Sequence, residues 1–114
     1  MIRMDTNAAE EGSFKIPVSF TDLSGNSVIP SEILWTLSDK KSTVINNRED
    51  VVIAIPEANI SIVLQGDDLA LPDPYDNLRV LTIKATFDDT GTSLTGLPYR
   101  EEIIFYIDNL VNIS

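Results

Sequence analysis

The chain has 114 residues, 43% hydrophobic and 23% charged, with a net charge of −10. That balance fits one globular domain able to bury roughly two-thirds of its unfolded surface. Cys and His are both absent, which excludes disulfides, thiolate nucleophiles, Ser-His-Asp triads and the usual zinc sites. The eight basic residues are scattered from Arg3 to Arg100, so neither nucleic acid nor an anionic membrane is an expected partner, because both are held by clustered Lys and Arg.

Residues 1–12 are polar and without pattern, and they predict a flexible arm. Met1-Ile2-Arg3-Met4-Asp5 lacks the apolar core of a secretory signal, and no apolar run is long enough for a bilayer. Synthesis and folding in a cytoplasm are therefore expected. Phe14, Ile16, Val18 and Phe20 then alternate with Lys15, Pro17 and Ser19, the pattern of a half-buried strand. Pro17 has no N–H for a ladder, so this strand belongs at an edge. Residues 23–27 form a turn, and Pro30 stops Val28-Ile29 from extending.

Residues 33–38 predict the next strand, with Ile33, Trp35 and Leu37 on one face and Trp35 as a core anchor. A turn at 39–42 leads to a short strand at 43–46, and a turn at 47–50 leads to residues 51–55. That last run is apolar on both faces and β-branched, which predicts a central or covered strand. Ile60, Ile62 and Leu64 make another inward set. Residues 66–71 suit one helical turn capped by Asp67 or Asp68, and Pro72-Asp73-Pro74 ends it. Leu81, Ile83, Ala85 and Phe87 are the inward set of a long strand. After the turn at 88–93, Glu101, Ile103, Phe105 and Ile107 are the inward set of the last one.

About seven short strands, separated by Gly, Pro, Asn and Asp turns, predict an all-β sandwich of the immunoglobulin or fibronectin type. A jelly-roll-like fold or a partly open barrel is the alternative. The expected layout is an arm at 1–12, a sandwich domain at 13–110 and a tail at 111–114.

Two stretches raise the question of chemistry. Asp89-Thr90-Gly91 is the triplet of aspartic proteases, whose two aspartates share one proton. A single copy here would require a homodimer, and the flanking residues do not supply the hydrophobic strand or the later supporting segment that such a loop needs. Hairpin turns produce the same letters. Asp67, Asp68, Asp73 and Asp76 crowd one loop, as a calcium site would, but at spacings unlike those of an EF-hand. No catalytic residue, cofactor or metal ligand is assigned, and an enzyme is not expected.

Surfaces remain. If Ile103, Phe105 and Ile107 face inward, Ile104 and Tyr106 face outward, as does Val52 on its strand. Leu110 and Val111 add apolar surface at the C-terminus. These five are the candidate interface residues, together with the arm. Glu101 and Glu102 sit where charge discourages pairing between strand edges.

Residues 20–30, with Thr21-Asp22-Leu23-Ser24-Gly25-Asn26 at their centre, and Ile33-Leu34-Trp35-Thr36-Leu37-Ser38-Asp39 carry a resemblance. So do residues 60–71, ending Gly66-Asp67-Asp68-Leu69-Ala70-Leu71, then Leu81-Thr82-Ile83-Lys84-Ala85-Thr86-Phe87-Asp88 and Ile107-Asp108-Asn109-Leu110. Together they resemble short immunoglobulin-like virion proteins of tailed bacteriophages and prophages. The resemblance implies a small structural subunit repeated on a capsid or tail, acting as decoration, cement or connector through contact with other virion proteins. A carbohydrate- or receptor-binding module, using Tyr75 and Tyr99, is the alternative.

Overall fold

Alternation turns every second side chain inward, and eight strands result in the computed structural model, which describes residues 2–73, 75–89 and 91–109. They are β1 (Ile2–Arg3), β2 (Ala8–Ala9), β3 (Ser13–Ser19), β4 (Glu32–Asp39), β5 (Val51–Val52), β6 (Asn59–Gln65), β7 (Leu78–Phe87) and β8 (Leu97–Asp108), with one 3-10 turn at Gly66–Leu69. The larger sheet has the order β1-β8-β7-β4-β5, with β2 further along β8; the smaller sheet is β3-β6. Pairing is antiparallel except that β1 and β2 run parallel to β8.

The two sheets stack face to face, giving the all-β, sandwich-like architecture that the alternation predicts. Phe14, Ile16 and Val18 of β3, with Ile62 and Leu64 of β6, meet Trp35, Leu37, Leu81, Ile83, Ile103, Phe105 and Ile107 of the larger sheet in one core. The rings of Phe14 and Phe105 touch across the layers, their centroids 5.1 Å apart. Trp35 is buried, as expected of an anchor. Pro17 sits on the side of β3 that faces no neighbour, where its missing N–H costs no ladder bond. The molecule is long for its size, 53 × 23 × 23 Å.

Several expectations differ from what is found. The arm expected to be loose at 1–12 lies, from Ile2 onward, along β8. Met4 N–H donates to Ile104 O (3.0 Å), Glu10 N–H donates to Asp108 O (3.1 Å), and Ala8 is buried. Its polar letters hide this role because an edge cover needs backbone groups rather than an apolar stripe. Residues 43–46 form no strand; only an isolated bridge joins Val44 to Ser38. Asn46 and Asn47 take left-handed backbone (φ 52° and 56°), which a strand cannot continue. Residues 51–55 are neither central nor covered on their outer side. They lie beyond β4 as the two-residue β5, with Val51 and Ile53 against the core and Val52 67% exposed. The cap of the 3-10 turn is Gln65 rather than Asp67 or Asp68. Asp68 reaches back instead, accepting from the Gln65 N–H (3.1 Å).

Candidate interaction surface

The outer face of the larger sheet is built by register. Leu78 of β7 lies beside Tyr106 of β8, and Val80 beside Ile104. Ile104 in turn lies beside Arg3 of β1. Leu78, Val80, Ile104 and Tyr106 are half-buried and form one continuous apolar block near one end of the sheet. The Arg3 guanidinium stands 4.9 Å from the Tyr106 ring centroid, a cation–π contact at the rim. A shallow groove of about 260 Å³ runs beside the block, between Leu78, Val80, Ile104, Ser42 and Lys40. Further along, the same face turns polar through Thr36, Thr82 and Glu102, then Lys84 and Arg100.

The sheet thus joins two of the sequence candidates, Ile104 and Tyr106. It places Val52 at the far edge, next to Leu34 and across the polar rows. Leu110 and Val111 lie outside the described residues. Leu78, Val80 and Arg3 were missed. Leu78 and Val80 belong to the same outward alternation as Thr82 and Lys84, which runs on either side of Arg79. Arg3 lies in the segment whose letters predict only an arm.

The acidic loop lies at the end of the sandwich where β4 and β7 meet. Arg79, at the start of β7, faces inward, and its Nη1 donates to the carbonyls of Asp76 (2.8 Å) and Leu78 (2.9 Å). Its Nη2 donates to Ala70 O (3.4 Å), so one guanidinium gathers the loop 70–78. Arg79 forms the floor of a cleft of about 330 Å³, rimmed by Asp39, Asn46, Asp67, Asp73 and Asp76. Asp68 is not part of that rim. It is 1% exposed and accepts from Arg48 Nε (2.8 Å), Asn46 Nδ2 (2.8 Å) and the Gln65 N–H. Burial pushes its pKa up, but the bonds from Arg48, Asn46 and Gln65 together outweigh burial and hold it below the ordinary value. Among the described residues, no three acidic side chains are arranged to hold a metal ion.

At the opposite end, Asp89 is also 1% exposed. Its Oδ1 accepts from the backbone N–H (3.3 Å) and hydroxyl (3.4 Å) of Ser24, and its Oδ2 accepts from the Thr92 hydroxyl. Its own N–H donates to Leu94 O (2.8 Å). The carboxylate therefore ties the β7–β8 loop to the 22–26 turn, where Asp22 Oδ1 accepts from the N–H groups of Ser24 and Asn26. Asp89 thus faces Ser24 and Thr92 of its own chain.

Of the two candidate tyrosines, Tyr75 lies in a loop and is 92% exposed, whereas Tyr99 lies within β8. Tyr99 packs edge-on against Phe20, with centroids 5.2 Å apart. Burial and then the Glu101 charge raise the Tyr99 phenol above its ordinary pKa. No helix among the described residues is long and apolar enough to cross a membrane.

Comparison with known proteins finds no matching family model, no matching curated protein and no matching solved structure.

Proposed function

We propose that this chain is an immunoglobulin-like structural subunit of a tailed-phage particle, acting without catalysis through contact with neighbouring virion proteins. The supporting observation is the apolar block Leu78-Val80-Ile104-Tyr106 on the outer sheet face, separated from Leu34 and Val52 by the polar row Thr36-Thr82-Glu102. A continuous apolar patch with a polar rim is how a contact surface differs from scattered exposed side chains. The strand layout supports the immunoglobulin reading. The N-terminal segment runs parallel beside the last strand, and the chain changes sheets four times, at β2–β3, β3–β4, β5–β6 and β6–β7. The sequence resemblance to short virion proteins supplies the setting.

Quantitative mass spectrometry of particles purified from the source culture tests this. The chain should be present at tens of copies or more per particle, as symmetric assembly requires. Ile104→Asp should fold but fail to incorporate. Absence from particles, or undiminished incorporation of the Ile104→Asp chain, overturns the reading. A receptor- or carbohydrate-binding module draws on the open ring of Tyr75 in the acidic loop. It predicts that Tyr75→Ala abolishes cell-surface binding while leaving incorporation intact.

A further inference from the structure

The edges of the two sheets are treated unequally. On β8, residues 103–108 are covered by β1 and β2, and the remainder carries Pro98, Arg100, Glu101 and Glu102. The outer side of β4 is covered by β5 and by bonds from the preceding loop, such as Leu37 N–H to Arg48 O and Ile45 N–H to Leu37 O. The free side of β3 carries Lys15 and Pro17. Each is a known way of blunting an edge.

The outer edge of β6 has none of these. Its sequence, Asn59-Ile60-Ser61-Ile62-Val63-Leu64-Gln65, contains no charge and no Pro, and its register with β3 is continuous, without a bulge. Phe20 N–H donates to Ala58 O (2.8 Å) and Gly66 N–H donates to Gly12 O (3.0 Å). In antiparallel phase, this points the backbone groups of Ile60, Ile62 and Leu64 toward β3. Those of Asn59, Ser61, Val63 and Gln65 point away. Asp68 already takes the Gln65 N–H. No described residue pairs with the outward backbone groups of Asn59, Ser61 and Val63.

We propose that two copies of this chain pair through β6, antiparallel about a twofold axis at Ser61, so that their two-stranded sheets become one four-stranded sheet. The free groups are symmetric about Ser61. Asn59 meets Val63 of the second copy, Ser61 meets Ser61, and every free N–H faces a free carbonyl. That symmetry fits a second copy as the occupant, and the charge at the seam does not oppose it. Each chain carries −10, yet the pairing segment is neutral, and in this register Glu57 comes opposite Gln65 rather than another carboxylate. The assembly also closes. Its outermost strands are the two β3 strands, whose Pro17 and Lys15 refuse a further strand, so a dimer forms and not a fibre.

The absence of cysteine makes a clean test. Residues opposed in a hydrogen-bonded antiparallel pair have Cα atoms about 5.5 Å apart, within disulfide range. Under mild oxidation, Ser61→Cys should form a covalent dimer at least about tenfold faster than Ser13→Cys on β3. Sedimentation equilibrium should show a dimer of the unaltered chain near 100 µM, tightened by salt as it screens the paired negative chains. Ser61→Glu, its fold checked by circular dichroism, sets two like charges across the axis and should weaken dimerisation about tenfold or more. Ile104→Asp should leave the dimer intact, which separates this pairing from the particle contact proposed above. A chain monomeric at that concentration, a dimer indifferent to Ser61→Glu, or equal cross-linking at Ser13 and Ser61 overturns the proposal.

Discussion

Each end of this long molecule is closed by a buried aspartate, and the two are held differently. Asp68 has a guanidinium, an amide and a backbone N–H as donors. Asp89 has two hydroxyls and a backbone N–H, all neutral. Both came from stretches whose letters suggested chemistry, a cation-binding loop and a protease triplet. Both serve as knots that bind loops to the sandwich. The difference shows that a carboxylate sealed from water keeps its charge where an opposite charge meets it, and keeps its place among neutral donors by completing its hydrogen bonds.

The largest expected effect is at the charged end. Asp68→Ala strands Asn46 Nδ2 and the Gln65 N–H and frees Arg48 to solvent, at a cost of about 3 kcal/mol in urea unfolding. Acid should act on the same knot. The folded pKa of Asp68 lies below the unfolded value of 3.8, so its contribution is complete above 3.8 and is lost as pH falls through the folded pKa. Unfolding free energy should therefore decline below about pH 4, and Asp68→Asn should flatten that part of the profile.

Asp89→Ala, which removes bonds from neutral donors only, should cost less, about 1.5 kcal/mol, and should loosen the β7–β8 loop to hydrogen exchange. Equal losses at the two ends would show that the Arg48 charge adds nothing. Arg48→Ala sharpens the point. Its side chain is 41% exposed, so solvent screens the pair, and about 1 kcal/mol is expected. Smallest is Gly91→Ala, about 0.5 kcal/mol. A Cβ at Gly91 would meet the Ser24 hydroxyl, which must rotate and give up its bond to Asp89.

The core was legible because burial on a pleated strand repeats every two residues. Phe14, Ile16, Val18, Leu81, Ile83, Ile103, Phe105 and Ile107 announce their inward face by spacing alone. Pro17 announced an edge, and Ile104 and Tyr106 their outward direction. What spacing does not carry is the identity of the neighbour. Nothing local to Ile2 or Arg3 says that β8 lies beside them. Nothing in 51–55 distinguishes a central strand from a rim pressed against β4 on one side only. Asn46 reads as the last residue of a strand and Asn47 as the first of a turn, yet left-handed backbone at both leaves no strand there and delivers Asn46 to Asp68.

The order of letters was enough to settle an all-β chain, the inward set of each long strand and the lack of Cys–His chemistry, since each depends on residue type and short-range geometry. Which edges are covered, which aspartates are sealed and which apolar side chains form one patch were decided only when segments far apart in the chain came together. Asp89 meets Ser24 and Arg3 meets Tyr106 by packing, and packing is a property of the assembled sheets rather than of any window along them.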